Sequence, residues 1–94
     1  MNVQFEYDPN KSKTNKLKHG IDFEEAQEIW NDVHVVVPLG NKYGEERLAV
    51  FGMIDLKHWT AIITYRGDST RLISVRRSRK NEEEYYDRQK NNLC

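Results

Sequence analysis

One cysteine stands in this 94-residue chain, at position 94. No disulfide can form within the chain, and no cluster of thiolate metal ligands can be assembled. The three histidines, His19, His34 and His58, lie far apart without metal-ligand spacing, so neither a zinc site nor another cofactor is expected. Long apolar runs are missing as well. Nothing approaches the roughly 20 residues of a membrane span, and the N-terminus has no apolar signal-peptide core, so the expected setting is cytoplasmic with no membrane association. Net charge is absent too: 15 Lys and Arg balance 15 Asp and Glu. Total charge therefore excludes no partner, and only its distribution is informative.

The apolar residues, 37% of the chain, are gathered rather than scattered, at 33–39, 48–54, 59–65 and 72–75. Ninety-four residues suit one domain, in which roughly 60–65% of the unfolded surface is buried. Phe5-Glu6-Tyr7 reads as a short extended start. Asp8 then caps a helix with Pro9 in its first turn, and Gly20 ends it after a lysine-rich run. Asp22-Phe23-Glu24-Glu25 resembles a capping box for a second helix, with Phe23, Ala26, Ile29 and Trp30 on one face.

Four strands are expected at 33–38, 47–54, 59–66 and 70–77. Their short connections force antiparallel neighbours, because a parallel crossover needs a dozen residues or more. Ser78 is the expected cap of a last helix, and 91–94 the expected frayed tail. The predicted fold is a single α+β domain over 1–94, with two N-terminal helices, a four-stranded antiparallel sheet and a C-terminal helix.

Charge is unevenly placed. From Arg66 to Lys80, six basic side chains (Arg66, Arg71, Arg76, Arg77, Arg79 and Lys80) meet a single acid, Asp68. Guanidinium forks suit phosphate oxygens, so the segment points to RNA, to DNA or to an acidic protein. Strict alternation from Thr70 puts Arg71, Ile73, Val75 and Arg77 on one face and Leu72, Ser74 and Arg76 on the other. Arg66 and Arg76 fall toward opposite ends of the hairpin.

The bland alternative is a solvated sheet face whose arginines pair with Glu82–Glu84. Lys18-His19 supplies a second candidate, since histidine moves protons near neutral pH and an adjacent ammonium stabilises phosphate charge. A helix C-terminus favours cations in any case. His34 and His58 have no supporting neighbours in sequence, and the acidic runs 24–28 and 82–84 read as solvated helix faces. With this set of residues the accessible chemistry is RNA cleavage without metal: a ribose 2′-hydroxyl attacks the neighbouring phosphate while cations stabilise the developing charge. A module that binds nucleic acid or an acidic partner without turnover is the alternative.

Phe5 through Lys11, Asn15, Lys18-His19-Gly20-Ile21, Phe23 and Ala26 resemble the N-terminal signature of the BrnT toxins. Arg71 to Ser78, Glu82 and Tyr86 resemble its C-terminal signature, and Glu46-Arg47, Gly52 and Tyr65-Arg66 its middle. Tyr7 stands where an indole is usual and Ser78 where alanine is usual. The resemblance covers 5–86 and implies a RelE-like ribonuclease fold in a type II toxin–antitoxin pair. It further implies an RNA substrate and a BrnA-like antitoxin with a ribbon–helix–helix part, operator DNA being reached only through that complex. The catalytic residues it implies are Lys18, His19, Arg47, Arg66, Arg76 and Arg77, with Glu46 and Tyr65 beside them.

Overall fold

A computed structural model of the chain describes residues 3–42 and 44–92. Strand β1, Gln4–Glu6, leads into helix α1, Pro9–His19. Both ends of α1 follow from local chemistry. The Asp8 carboxylate accepts the Asn10 N–H at 2.9 Å, Pro9 occupies the first turn, and Gly20 closes the helix in the left-handed region at φ 79°.

The second helix differs from its expected form. The capping box is present: the Asp22 carboxylate accepts the Glu25 N–H at 2.7 Å and the Glu25 carboxylate accepts the Asp22 N–H at 2.9 Å. The turn it starts, however, is a 3₁₀ helix, Glu25–Asn31. Phe23, Ala26 and Ile29 recur every three residues, which in a three-residue turn places them one above another. All three are buried.

Four further strands follow: β2, Val35–Gly40; β3, Arg47–Ile54; β4, Lys57–Arg66; and β5, Ser69–Arg77. They pair antiparallel as expected, but the sheet has five strands in the order β1-β5-β4-β3-β2. β1 joins it parallel to β5, with Phe5 beside Thr70. The four-stranded all-antiparallel sheet is thereby corrected to a five-stranded mixed one. Residues 7–68 lie between the two partners, long enough for the crossover that a parallel pair requires. The β3–β4 turn is tighter than expected, because Asp55 and Leu56 both adopt positive φ (50° and 68°) and close a two-residue hairpin loop.

A bulge overturns the expected alternation in β5. The register with β4 shifts between Ile62 and Ile63, so that Ser74 lies beside Ile62 and Leu72 beside Ile63. Ile73 is the extra residue. Leu72 and Val75, three apart, both enter the main core. Arg71 thus shares a face with Ser74 and Arg76, while Arg77 turns to the other side.

The main core lies on one face of the sheet, where Leu48, Val50, Ala61, Ile63, Leu72 and Val75 meet Phe23, Ala26 and Ile29. Gly52 is required here, since a Cβ at that position would stand 2.6 Å from Ile29 Cγ2. Helix α2, Lys80–Asn92, covers part of the opposite face with Tyr85 and Tyr86 over Ala49, Phe51, Met53 and Ile62. Its start is set by Arg79 rather than Ser78: the Arg79 carbonyl accepts the Glu82 and Glu83 N–H groups, and the Ser78 hydroxyl bonds Thr60 instead. The helix includes Asn91 and Asn92 of the expected frayed tail; Leu93 and Cys94 lie outside the described residues.

Helix α1 is attached by polar groups. Leu17 is 89% exposed, whereas Ser12 and Asn15 are buried. β1 pairs with β5 only from Ser69 to Arg71. Beyond that, Asn15 occupies the sheet edge: its Nδ2 donates to the Val75 carbonyl at 2.8 Å, and its Oδ1 accepts the Val75 N–H at 3.1 Å. Nδ2 also donates to the Ile21 carbonyl at 2.8 Å, and the Ser12 hydroxyl accepts the Phe23 N–H at 2.9 Å. Asn15→Leu keeps the volume but leaves three buried backbone groups without partners, which costs on the order of 3 kcal/mol. Urea unfolding of this variant is expected to show a correspondingly lower midpoint, and an unchanged midpoint would refute the assignment.

Candidate nucleic-acid interface

The α2 side of the sheet has two halves. Toward the β3–β4 turn, α2 is held by side-chain contacts from Thr60, Arg76 and His58. Toward the β4–β5 turn the register places Thr64 beside Arg71, with Arg47 next to Thr64 one step beyond the Leu48–Ile63 pair. The Thr64 hydroxyl donates to the Glu46 carbonyl at 2.7 Å, which ties the start of β3 to this row. Arg66 follows two residues after Thr64 on the same face and is exposed. Three guanidinium groups, those of Arg47, Arg66 and Arg71, are therefore carried by adjacent strands on one side of the sheet. Arg71 contacts the Glu6 carboxylate of β1 at 3.4 Å, and both remain partly exposed.

Lys18 and His19 reach the edge of this face. A cleft of about 220 Å³ lies between α1 and the bulge, lined by Lys11, Thr14, Lys18, His19, Ile73 and Ser74 among others. Lys11, Thr14 and Lys18 recur at helical spacing, so one side of α1 presents them together. That periodicity is visible in the sequence, although the bulge they face is not. Lys18 and His19 are both exposed.

Arg76 is differently placed. Its guanidinium forms a two-pronged pair with Glu82, Nη1 to Oε1 at 2.8 Å and Nη2 to Oε2 at 2.9 Å, with little exposure on either side. Glu82 also accepts the Thr60 hydroxyl at 3.1 Å and the Arg79 N–H at 2.8 Å. The Arg76 guanidinium, above all, holds the Glu82 carboxyl down at about 2. Arg77 lies on the main-core side, its guanidinium carbon 5.5 Å from the Trp59 ring centre and its Nε 3.3 Å from the His58 carbonyl. Adjacent in sequence, these two arginines occupy opposite faces.

Tyr65, 54% exposed, pairs with Thr70 and alternates with Arg66, which puts it on the main-core side. Glu46 precedes β3 and meets this row through its backbone carbonyl, which accepts the Thr64 hydroxyl. Arg66 and Thr60, the neighbour of Arg76, are six strand residues apart, about 20 Å. The eight residues expected to be catalytic are thus divided among the open arginine row, the α1 cleft, the Glu82 pair and the far face, with Arg66 and Arg76 apart as expected. Arg71 and Ser74 are the additions, because the bulge brings Arg71 onto the face that Ser74 and Arg76 were expected to share. His58 acquires partners that sequence did not show: its Nε2 lies 2.9 Å from Asp87 and its ring stands edge-on to Tyr86 at 5.6 Å.

Larger clefts of about 390 and 600 Å³ lie on the main-core side, but Glu24 and Glu28 line both, and Asp22, Glu25 and Asp55 line the second. Carboxylates repel phosphate, so these clefts do not suit a polyanion despite their volume, whereas the guanidinium groups of the α2 side do. Among the described residues no group of three or more His, Cys, Asp or Glu is arranged to hold a metal ion.

The family model for the ribonuclease toxin BrnT of type II toxin–antitoxin systems matches residues 7–82. No curated protein matches the chain.

Because the folded-state carboxyl of Glu82 titrates below its ordinary value of 4.5, its contribution is complete above about pH 4.5 and is lost as pH falls toward 2. Screened by the solvent that reaches the pair, the contribution is roughly 2 kcal/mol. Glu82→Gln is expected to flatten the loss of unfolding free energy between pH 5 and 2.5 by about that amount. Parallel pH profiles for wild type and variant would count against the pair.

Proposed function

We propose that this chain, which belongs to the BrnT family of ribonuclease toxins of type II toxin–antitoxin systems, cleaves RNA on the half of the sheet that α2 leaves open. The observation that carries this reading is the shared face of Arg47, Arg66 and Arg71, bordered by the cleft that holds Lys18 and His19. Guanidinium groups on rigid strands suit phosphate oxygens at fixed spacing, and the sheet positions them before substrate arrives.

In the proposed reaction the 2′-hydroxyl of one nucleotide attacks the adjacent phosphorus. His19 accepts the hydroxyl proton, the bond from phosphorus to the 5′-oxygen breaks, and that oxygen takes a proton from the Lys18 ammonium or from water. The products are a 2′,3′-cyclic phosphate and a 5′-hydroxyl end. Arg47, Arg66 and Arg71 balance the charge that builds on the non-bridging oxygens, so the chain's own cations do the work a metal could otherwise do. Arg76 acts in this scheme by fixing α2 through Glu82, Glu46 ties the start of β3 to the row through its carbonyl, and Arg77 and Tyr65 stand behind the reacting face. A BrnA-like antitoxin with a ribbon–helix–helix part would neutralise the toxin by covering the same basic face and would carry the complex to operator DNA. The proposed setting is the cytoplasm.

Purified protein incubated with structured RNA is expected to produce cyclic-phosphate ends, undiminished by EDTA. Arg71→Ala and Arg47→Ala should each lower the cleavage rate by roughly 10²-fold, comparable with removal of one oxyanion donor. His19→Ala should lower it by 10²- to 10⁴-fold, the usual range for a general base. Intact RNA in the presence of wild-type protein, with binding that weakens steeply with salt, would establish a binding module instead.

A further inference from the structure

Beside the arginine row, on the same side of the sheet, α2 and β2–β3 enclose a second cleft of about 400 Å³. Its lining is Val37, Phe51, Asn81, Glu82, Tyr85 and Arg88. Tyr85 stands edge-on to Phe51, ring centres 6.1 Å apart at 83°, and is only partly buried. The cleft therefore combines aromatic surface with the Asn81 amide, which can donate and accept side by side, and with the exposed Arg88 guanidinium. The one acid in it, Glu82, is already committed to Arg76, Thr60 and the Arg79 N–H. No free carboxylate charge there opposes a polyanion.

We infer that this cleft is a nucleobase subsite, in which a base of the bound RNA stacks on Tyr85 over Phe51 and Val37 while Asn81 reads its edge. The inference rests on the RNA reading above and adds a specificity element to it. Continuity with the arginine row favours a nucleotide as occupant. Phe51 and Arg47 lie four residues apart on β3 and face the same side, about 13 Å along the strand, a distance that a short oligonucleotide bridges. Phosphates on the arginines would thus bring a neighbouring base to the aromatic wall. Stacking on an aromatic side chain is a general means of holding single-stranded RNA, and amide groups at the base edge supply its discrimination.

The test uses a 2′-O-methyl oligoribonucleotide carrying 2-aminopurine, which binds but lacks the attacking hydroxyl. Wild-type protein should quench its fluorescence, Tyr85→Phe should retain the quench, and Tyr85→Leu should lose it with a ten-fold or greater weakening of binding. Asn81→Ala should alter base preference among cleavable RNAs through KM more than through kcat. Wild-type NMR gives a measurement independent of any variant: Val37 methyl and Tyr85 ring resonances should shift on titration with the oligonucleotide. Quenching that survives in Tyr85→Leu, or silent Val37 and Tyr85 resonances while the protein cleaves RNA, overturns the subsite alone. Quenching by a protein that never cleaves RNA keeps the subsite and overturns the enzyme. If instead an acidic peptide moves these resonances and the oligonucleotide does not, the cleft is a protein-docking site and the subsite is excluded.

Discussion

The amide of Asn15 is the interaction on which the arrangement of this protein depends. A helix with exposed Leu17 and buried Ser12 and Asn15 has no oily stripe with which to adhere to a sheet. Asn15 attaches it instead by presenting to Val75 the donor and acceptor that a neighbouring strand would have offered. One side chain therefore does three things. It terminates the sheet beside β5, it fixes the chain after α1 through the Ile21 carbonyl, and it sets the distance between the Lys18-His19 corner and the bulge. Such a joint is directional in a way that apolar packing is not, since hydrogen bonds weaken steeply when misaligned.

The Arg76–Glu82 pair plays the corresponding part on the other side. It draws the first turn of α2 onto the sheet at one end, which leaves the other end free for Arg47, Arg66 and Arg71. An arginine in a basic stretch thus holds α2 in place rather than standing in the open row. The overall neutrality of the chain hides this organisation. Acidic side chains from Asp22 to Glu28 gather by the 3₁₀ helix, while Arg47, Arg66 and Arg71 lie on the reverse of the sheet, so charges that cancel in the sum are in part separated in space. A polyanion approaching such a molecule is oriented before it makes contact.

What could be read in the sequence was what is decided locally. Asp8, Pro9 and Gly20 bracket α1, Asp22 and Glu25 cap each other, and short turns, expected at 55–58 and 67–69 and found at 55–56 and 67–68, pair the strands they join. The pairing of β1 with β5 was not legible, because Gln4 meets Ser69 only after the intervening chain has folded. Spacing of three among Phe23, Ala26 and Ile29 serves an α-helix and a 3₁₀ helix alike, so the sequence pattern does not choose between them. For the candidate site, alternation read from the sequence separated Arg76 from Arg77 as the structure does, but it put Arg71 with the core side chains because the bulge was not visible. The competing idea that arginines pair with the 82–84 acids describes Arg76 and not the open row.

The unpaired residue at Ile73 gives β5 a parity that composition does not record. In a strand, sidedness is a count: every residue inserted or removed turns over all that lies beyond it until another irregularity restores the phase. Ile73 is such a phase change, and it divides β5 into a segment that answers to β1 and a segment that answers to Asn15. Were the bulge to flatten with Ile73 kept in the ladder, every arginine would remain in the sequence and Arg71 would still turn toward the core in place of Leu72, whereas removing Ile73 itself leaves a regular ladder with the same faces. The bulge between Arg71 and Arg76 is accordingly a determinant in its own right, one that shapes this surface as firmly as the identity of the cations it displays.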